Sequence, residues 1–161
     1  MFESRSGVSP TGLLLQIAHQ RSRRALNHTL HDLGLEARHL AVLAALSTSG
    51  PMIHRRLMYL LEMDRSSTTY TVDDLERAGL VERRRHATDR RAFEVHLTDA
   101  GRATLERAWR LAREVDERLF GRLGDAKREQ LDTLLRELVD GMPKGVEEVR
   151  REVRGAREAA R

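Results

Sequence analysis

The chain has 161 residues, no cysteine and a formal net charge of +4, with 34% charged and 4% aromatic residues. That length suits one domain, 1–161, with a real core, and the missing cysteine excludes disulfides, thiol redox sensing and thiolate metal sites. No apolar run approaches the roughly 20 residues of a membrane span, and the opening MFESRSGVSP lacks an apolar signal core, so a cytoplasmic, nucleoid-associated protein with no membrane partner is expected.

The positive charge leans towards a polyanionic partner. Lysine occurs only at Lys127 and Lys144, and arginine supplies nearly all of it. With so much Ala, Leu and Gly, this matches the codon bias of a GC-rich bacterial genome. An arginine cluster therefore counts only through its position in the fold.

Pro10-Thr11 opens a long helix to about Leu33, with Leu14, Ile17, Ala18, Ala25 and Leu33 near one stripe that Leu13, Leu26 and Leu30 widen. After a break at Leu33-Gly34-Leu35, a second helix runs from Glu36 to Ser47 on Leu40, Val42, Leu43 and Leu46, and Ser47 to Pro51 is a loop. A third helix, Ile53 to Glu62, turns Leu57, Leu60 and Leu61 inward, and Met63-Asp64-Arg65 forms a tight turn. The fourth, Ser66 to Ala78, is held from behind by Val72 and Leu75. Its opening Ser66-Ser67-Thr68-Thr69-Tyr70 consists of mediocre helix formers that packing alone does not account for. They suit a face pressed against phosphates and base edges, and the two short helices read as helix-turn-helix.

Gly79 stops the fourth helix in a φ > 0 conformation. Leu80 to Arg85 and Arg91 to Leu97 read as two strands around the tip His86 to Arg90, with Phe93, Val95 and Leu97 on the buried face. Thr98 caps a long helix to Phe120, striped by Leu105, Ala108, Trp109, Ala112, Val115 and Leu119. Asp125 caps another to Asp140, with Leu131, Leu134, Leu135, Leu138 and Val139 inward. The remainder, 143–161, is a charged tail or an extra helix.

These elements describe a mainly α chain with a small antiparallel β wing (α+β): a winged helix-turn-helix over 36–98 with long flanking helices over 10–35 and 99–142. The flanking helices are too apolar along one side for a monomer of this size. A homodimer is expected, each copy burying the other's stripes and setting two recognition helices about 34 Å apart for successive major grooves.

The chain resembles the MarR-type bacterial transcription regulators. The residues that carry the resemblance are Asp64-Arg65-Ser66-Ser67, Val72 to Arg83, Thr88-Asp89-Arg90-Arg91-Ala92 and Leu97-Thr98-Asp99-Ala100-Gly101, within roughly Leu35 to Leu105. The resemblance implies a homodimer that binds a pseudo-palindromic double-stranded DNA operator, usually as a repressor, and that a small ligand, often an aromatic acid, releases. By position, Ser66, Ser67, Thr69 and Tyr70 would face the major groove, and Arg65 and Arg77 the backbone. Arg91, oriented by Asp89, would enter the minor groove, with Arg90 as its rival and Arg83 as a further contact of the wing. The chain departs from the family at Tyr70 and Asp74, where basic residues are common, at Ile53 in place of an N-cap, at Glu62 in place of a turn glycine, and at His86-Ala87 in place of Asp-Pro.

For a carboxylate ligand between dimer helices and winged helix, His19, Arg23 and His39 are the candidates by placement. Zinc sensing is not expected: the long helix after the wing has no histidine, and the chain has no cysteine. His28, His31 and His39 read first as polar residues near helix ends, and second as a pH-sensitive interface. No phosphate loop, nucleophile motif or paired-carboxylate setting suggests an enzyme, and no cofactor is implied. The expected function is a ligand-relieved repressor. The alternative is a dimeric ligand-binding or sequestering module that has drifted away from DNA.

Overall fold

The computed structural model describes residues 10–85 and 93–142. The wing tip with Asp89, Arg90 and Arg91, and the tail 143–161, lie outside the described residues. The elements run α1 (Thr11–Leu30), α2 (Ala37–Ser49), β1 (Met52–Ile53), α3 (His54–Leu61), α4 (Arg65–Arg77), β2 (Val81–Arg85), β3 (Phe93–Leu97), α5 (Asp99–Phe120) and α6 (Asp125–Gly141), with 3-10 turns at His31–Leu33 and Gly121–Leu123. The chain divides into two compact units, Met1–Leu119 and Phe120–Arg161.

In the first unit, α1 ends three residues before the expected Leu33, because the chain tightens into a 3-10 turn that Gly34 closes at φ +67°. The side chain of Asn27 then accepts the Ala37 backbone N–H at 2.7 Å, satisfying a free donor at the start of α2. Next to it, Glu36 and His39 form a reciprocal capping box, with the ring of His39 where Glu or Gln is usual. The core gathers Leu30 from α1, Val42 and Leu43 from α2, Leu57 from α3, Val72 and Leu75 from α4, Val81 and Val95 from the sheet and Leu105 from α5.

The sheet has the order β1-β3-β2, all antiparallel, with Val95 opposite both Met52 and Arg83. Strand β1 was not expected. Two residues are too few to show a period, and Ile53 is the extended residue before α3 rather than its first turn. On β3, Val95 and Leu97 are buried as the alternation predicts, but Phe93 is 48% exposed, since the core ends below it. Leu60 is likewise exposed: α3 has only eight residues, and Leu57 fills its inward position.

Wing and α5 meet closely at Thr98 and Gly101. Thr98 gives its hydroxyl to the Gly79 and Leu80 carbonyls at 2.8 and 3.0 Å, and its oxygen accepts the Gly101 N–H at 2.9 Å. Leu80 also accepts the Thr98 N–H at 3.1 Å. Gly101 comes so close that a Cβ there would overlap the Leu80 carbonyl and press the Leu97 side chain at 2.7 Å. Only glycine fits this crossing.

In the second unit, α6 follows Gly124 at φ +70°. Gly124, not Asp125, holds the cap position, and no side chain caps the helix. Leu131 and Leu135 are half-buried, while Leu134, Leu138 and Val139, expected inward, are exposed. At the other end of the chain, Leu13, Leu14 and Leu15 of α1 are exposed too. Among the described residues no helix is long and apolar enough to cross a membrane. Gly101→Ala should cost about 1–3 kcal/mol of folding stability through overpacking against backbone. A urea titration reads this as a lowered midpoint, and a midpoint equal to that of wild type would show that the crossing can open without cost.

Candidate nucleic-acid interface

The site is built outward from the start of α4. Glu62, at φ +51°, is the one non-glycine residue with positive φ among the described residues, and it turns the chain sharply from α3 to α4. Asp64 then caps α4: its carboxylate accepts the Ser67 N–H at 2.8 Å and the Ser67 hydroxyl at 2.5 Å. The Ser67 hydroxyl, and then its amide, hold the Asp64 carboxyl below the usual carboxylate range.

The hydroxyl run that opens α4 divides between two jobs. Thr68 and Thr71 are fully buried, and their hydroxyls donate back to the Asp64 and Ser67 carbonyls at 2.8 and 2.7 Å. Packing therefore does account for part of a run that the sequence assigned to DNA, because a threonine that bonds its own helix turn can sit in a core. Opposite them lies an outward face. Arg65, Ser66, Tyr70 and Arg77 are exposed, Tyr70 by 65%, and Ser67 and Thr69 are half-buried beside them. Thr69 donates its hydroxyl to the Arg65 carbonyl at 2.9 Å and meets His54 Nε2 at 3.1 Å.

Strand β2 is locked to the flank of this helix, where Asp73 shares a face with Ser66 and Tyr70 and Glu76 lies one turn on. The guanidinium of Arg83 hydrogen-bonds to Asp73 with one nitrogen and to Glu76 with the other. The Arg83 backbone N–H also donates to Glu76 at 3.0 Å. Burial alone would lower the Arg83 pKa, but the Asp73 and Glu76 carboxylates outweigh it and raise it. The sequence suggested Arg83 as a DNA contact of the wing; its side chain instead closes on two carboxylates of α4. The signal was present in Asp73 and Glu76, one turn apart on the helix that the strand follows.

A second charged group sits at the far end of α4. Asp74 takes a hydrogen bond from Arg77 at 2.9 Å and lies 3.6 Å from both Arg38 and His39 of α2. The Arg77 hydrogen bond, with the nearby His39 and Arg77 charges, keeps its carboxyl below the usual range. His39 is 6% exposed, and its Nδ1 accepts the Glu36 N–H at 2.9 Å, so the other nitrogen carries the hydrogen and faces Asp74. At 3.6 Å that contact is too long for a hydrogen bond. Burial first, then the Arg38 charge, lowers the His39 pKa.

The three expected ligand residues are not brought together by any hydrogen bond or ion pair among the described residues. His19 and Arg23 are exposed on α1, and both nitrogens of the His39 ring face protein groups. A groove of about 510 Å³ runs instead along β1 and α3, lined by Met52, Ile53, Arg55, Arg56 and Tyr59, and none of the three borders it.

The family model for the MarR family matches residues 33–92, which hold the two helices of the helix-turn-helix and strand β2. The repressor NicR of Pseudomonas putida is 30% identical over 129 residues, covering 80% of this chain and 82% of NicR. The chain belongs to the MarR family. In other curated relatives the matched region covers only 58% or 49% of the relative's length. Among solved structures, a mutant MarR of Escherichia coli in complex with operator DNA superimposes with a TM-score of 0.74 at 28% identity, covering 80% of this chain and 93% of that one. BpsR of Bordetella bronchiseptica, whose DNA binding is regulated by 6-hydroxynicotinic acid, does so with a TM-score of 0.75 at 28% identity, covering 81% and 99%.

Within the MarR frame, the structure gives the departures physical content. Asp74, where a basic residue is common, gathers Arg38, His39 and Arg77 and so fastens α4 to α2. Sequence reading missed His54, which touches α4 from α3 through Thr69; nothing in its spacing marked it. The lowered pKa of His39 makes stability depend on pH. The unfolded chain takes up a proton near pH 6.5 while the folded ring resists, so stability is full above about pH 6.5 and declines as pH falls towards the folded pKa. The urea midpoint should therefore drop between about pH 7.5 and about pH 5.5, and drop less in His39→Gln. Equal declines in both proteins would remove His39 from the effect.

Proposed function

We propose that this chain is a homodimeric, sequence-specific DNA-binding regulator that represses transcription and is released by a small ligand, with an aromatic acid as the ligand class. The observation that carries the reading is the outward face of α4: exposed Ser66 and Tyr70 flanked by Arg65, on a helix whose back is buried and whose flank is clamped by Arg83. A rigid helix with a small polar face is what base-edge readout requires, and Arg65 at its start suits a phosphate. The operator complex of the Escherichia coli relative supports DNA as the partner, and the 6-hydroxynicotinic acid response of BpsR supports an aromatic acid. The exposed leucines of α1 and α6 support a second copy as partner.

In this reading Ser66 and Tyr70 contact bases directly, Ser67 and Thr69 flank them, and Arg65 and Arg77 face phosphates. At the wing tip Arg91, set by Asp89, enters the minor groove, with Arg90 beside it. Arg83 acts from the flank as a brace. The ligand would shift the separation of the two recognition helices. A gel shift with the intergenic DNA beside the protein's own gene tests the reading: a salt-sensitive shift is expected, and its absence with an intact dimer would favour the sequestering module. Arg91→Ala should weaken that binding about ten-fold or more, the size of a lost charged contact, and leave dimer formation unchanged. Unaltered affinity would remove Arg91 from the contact.

A further inference from the structure

Outside α4, the side chain best placed to act on its outward face is His54, in the first turn of α3. Its Nε2 lies 3.1 Å from Thr69 Oγ1. A hydroxyl has one hydrogen to give, and the Arg65 carbonyl takes the Thr69 hydrogen at 2.9 Å. With its hydrogen on the Arg65 carbonyl, Thr69 meets the imidazole as an acceptor, and in that arrangement Nε2 bears the hydrogen of the contact. The neutral ring is the Nε2–H tautomer, and Nδ1 keeps its lone pair. Among the described residues no hydrogen bond reaches Nδ1.

The charges around this ring are unbalanced. Arg65 of α4 and Arg83 of β2 bear on it with positive charge, and Asp73 of α4 opposes them. The titratable groups of β3, Glu94 and His96, pair with each other at 3.4 Å. At the start of α2, Arg38 and His39 lie beside Asp74 instead, and Glu36 pairs with Arg38. Burial first, then the Arg83 and Arg65 charges, lower the pKa of the ring in the free protein. A phosphate beside Arg65 would supply the missing negative charge.

We propose that His54 is a positioning residue of the DNA-binding surface: its Nε2–H fixes the Thr69 hydroxyl, and its Nδ1 takes up a proton from solvent when a backbone phosphate settles beside Arg65. The inference rests on the DNA-binding reading of α4. Its consequence has a definite sign. If the bound complex holds a proton that the free protein lacks, affinity rises as pH falls, by at most about ten-fold per pH unit for one proton. This runs against the fold, whose stability falls in the same direction.

The test is the affinity of the full chain for a fluorescent duplex carrying the intergenic DNA beside its gene, by anisotropy at about pH 8 and about pH 6. Wild type should bind about three- to ten-fold more tightly at the lower pH. His54→Gln keeps a donor for Thr69 but cannot titrate; it should bind about three-fold more weakly at the higher pH and show no gain at the lower. A wild-type gain that persists in His54→Gln, or intact binding with no gain in wild type, would overturn the proposal alone. In the DNA-free protein, imidazole nitrogen–proton correlation spectra should show the Nε2–H tautomer for His54, and the Nδ1–H tautomer would also overturn it. Failure of wild type to bind the duplex at either pH, with the Nε2–H tautomer seen, would instead bring down the DNA-binding reading and the proton uptake with it.

Discussion

The guanidinium of Arg83, closed on Asp73 and Glu76, is the contact on which the proposed DNA-binding surface depends. A helix that reads base edges must hold its outward side chains still, and the first two turns of α4 are rich in residues that form helices poorly. Burial of Val72 and Leu75 fixes its back, but apolar packing does not by itself set rotation about the helix axis. The planar fork of an arginine does, because it meets two carboxylates one turn apart in a single geometry. The backbone N–H of the same residue adds a third bond to Glu76. Strand β2 and helix α4 are thereby one body.

That body is tied in at two more places. At one, Leu80 accepts two bonds from Thr98 while Gly101 passes over its carbonyl, so the first turn of α5 cannot move without the wing root. At the other, Asn27 of α1 caps α2, the capping box orients His39, and Asp74 collects Arg38, His39 and Arg77. Helices that the proposed dimer would bury thus reach α4 by two separate routes. A shift in either would be felt at the outward face, which is what release by a ligand requires.

Much of this was legible in the residues. Gly79 at positive φ, the Thr98 cap and the inward Val72 and Leu75 follow from local chemistry that a sequence displays directly. The losses have a common cause: each depends on where distant segments meet. Strand β1 exists because Met52 and Ile53 find β3, not because two residues declare a strand. Phe93 and Leu60 keep the right period yet lie beyond the edge of the core. Thr68 and Thr71 looked polar but bond their own helix and bury the rest. Arg83 looked like one more basic residue of a wing until its carboxylate partners came into contact, and His54 gained a role only through Thr69.

The most direct measurement is the salt dependence of operator binding by Arg83→Gln, in a preparation whose circular dichroism matches wild type. Each phosphate contact contributes about 0.9 to the slope of log affinity against log salt concentration. A brace that touches no phosphate should weaken binding when removed and leave that slope as in wild type. A slope reduced by about one contact's share would place Arg83 on the DNA and contradict the clamp as its function.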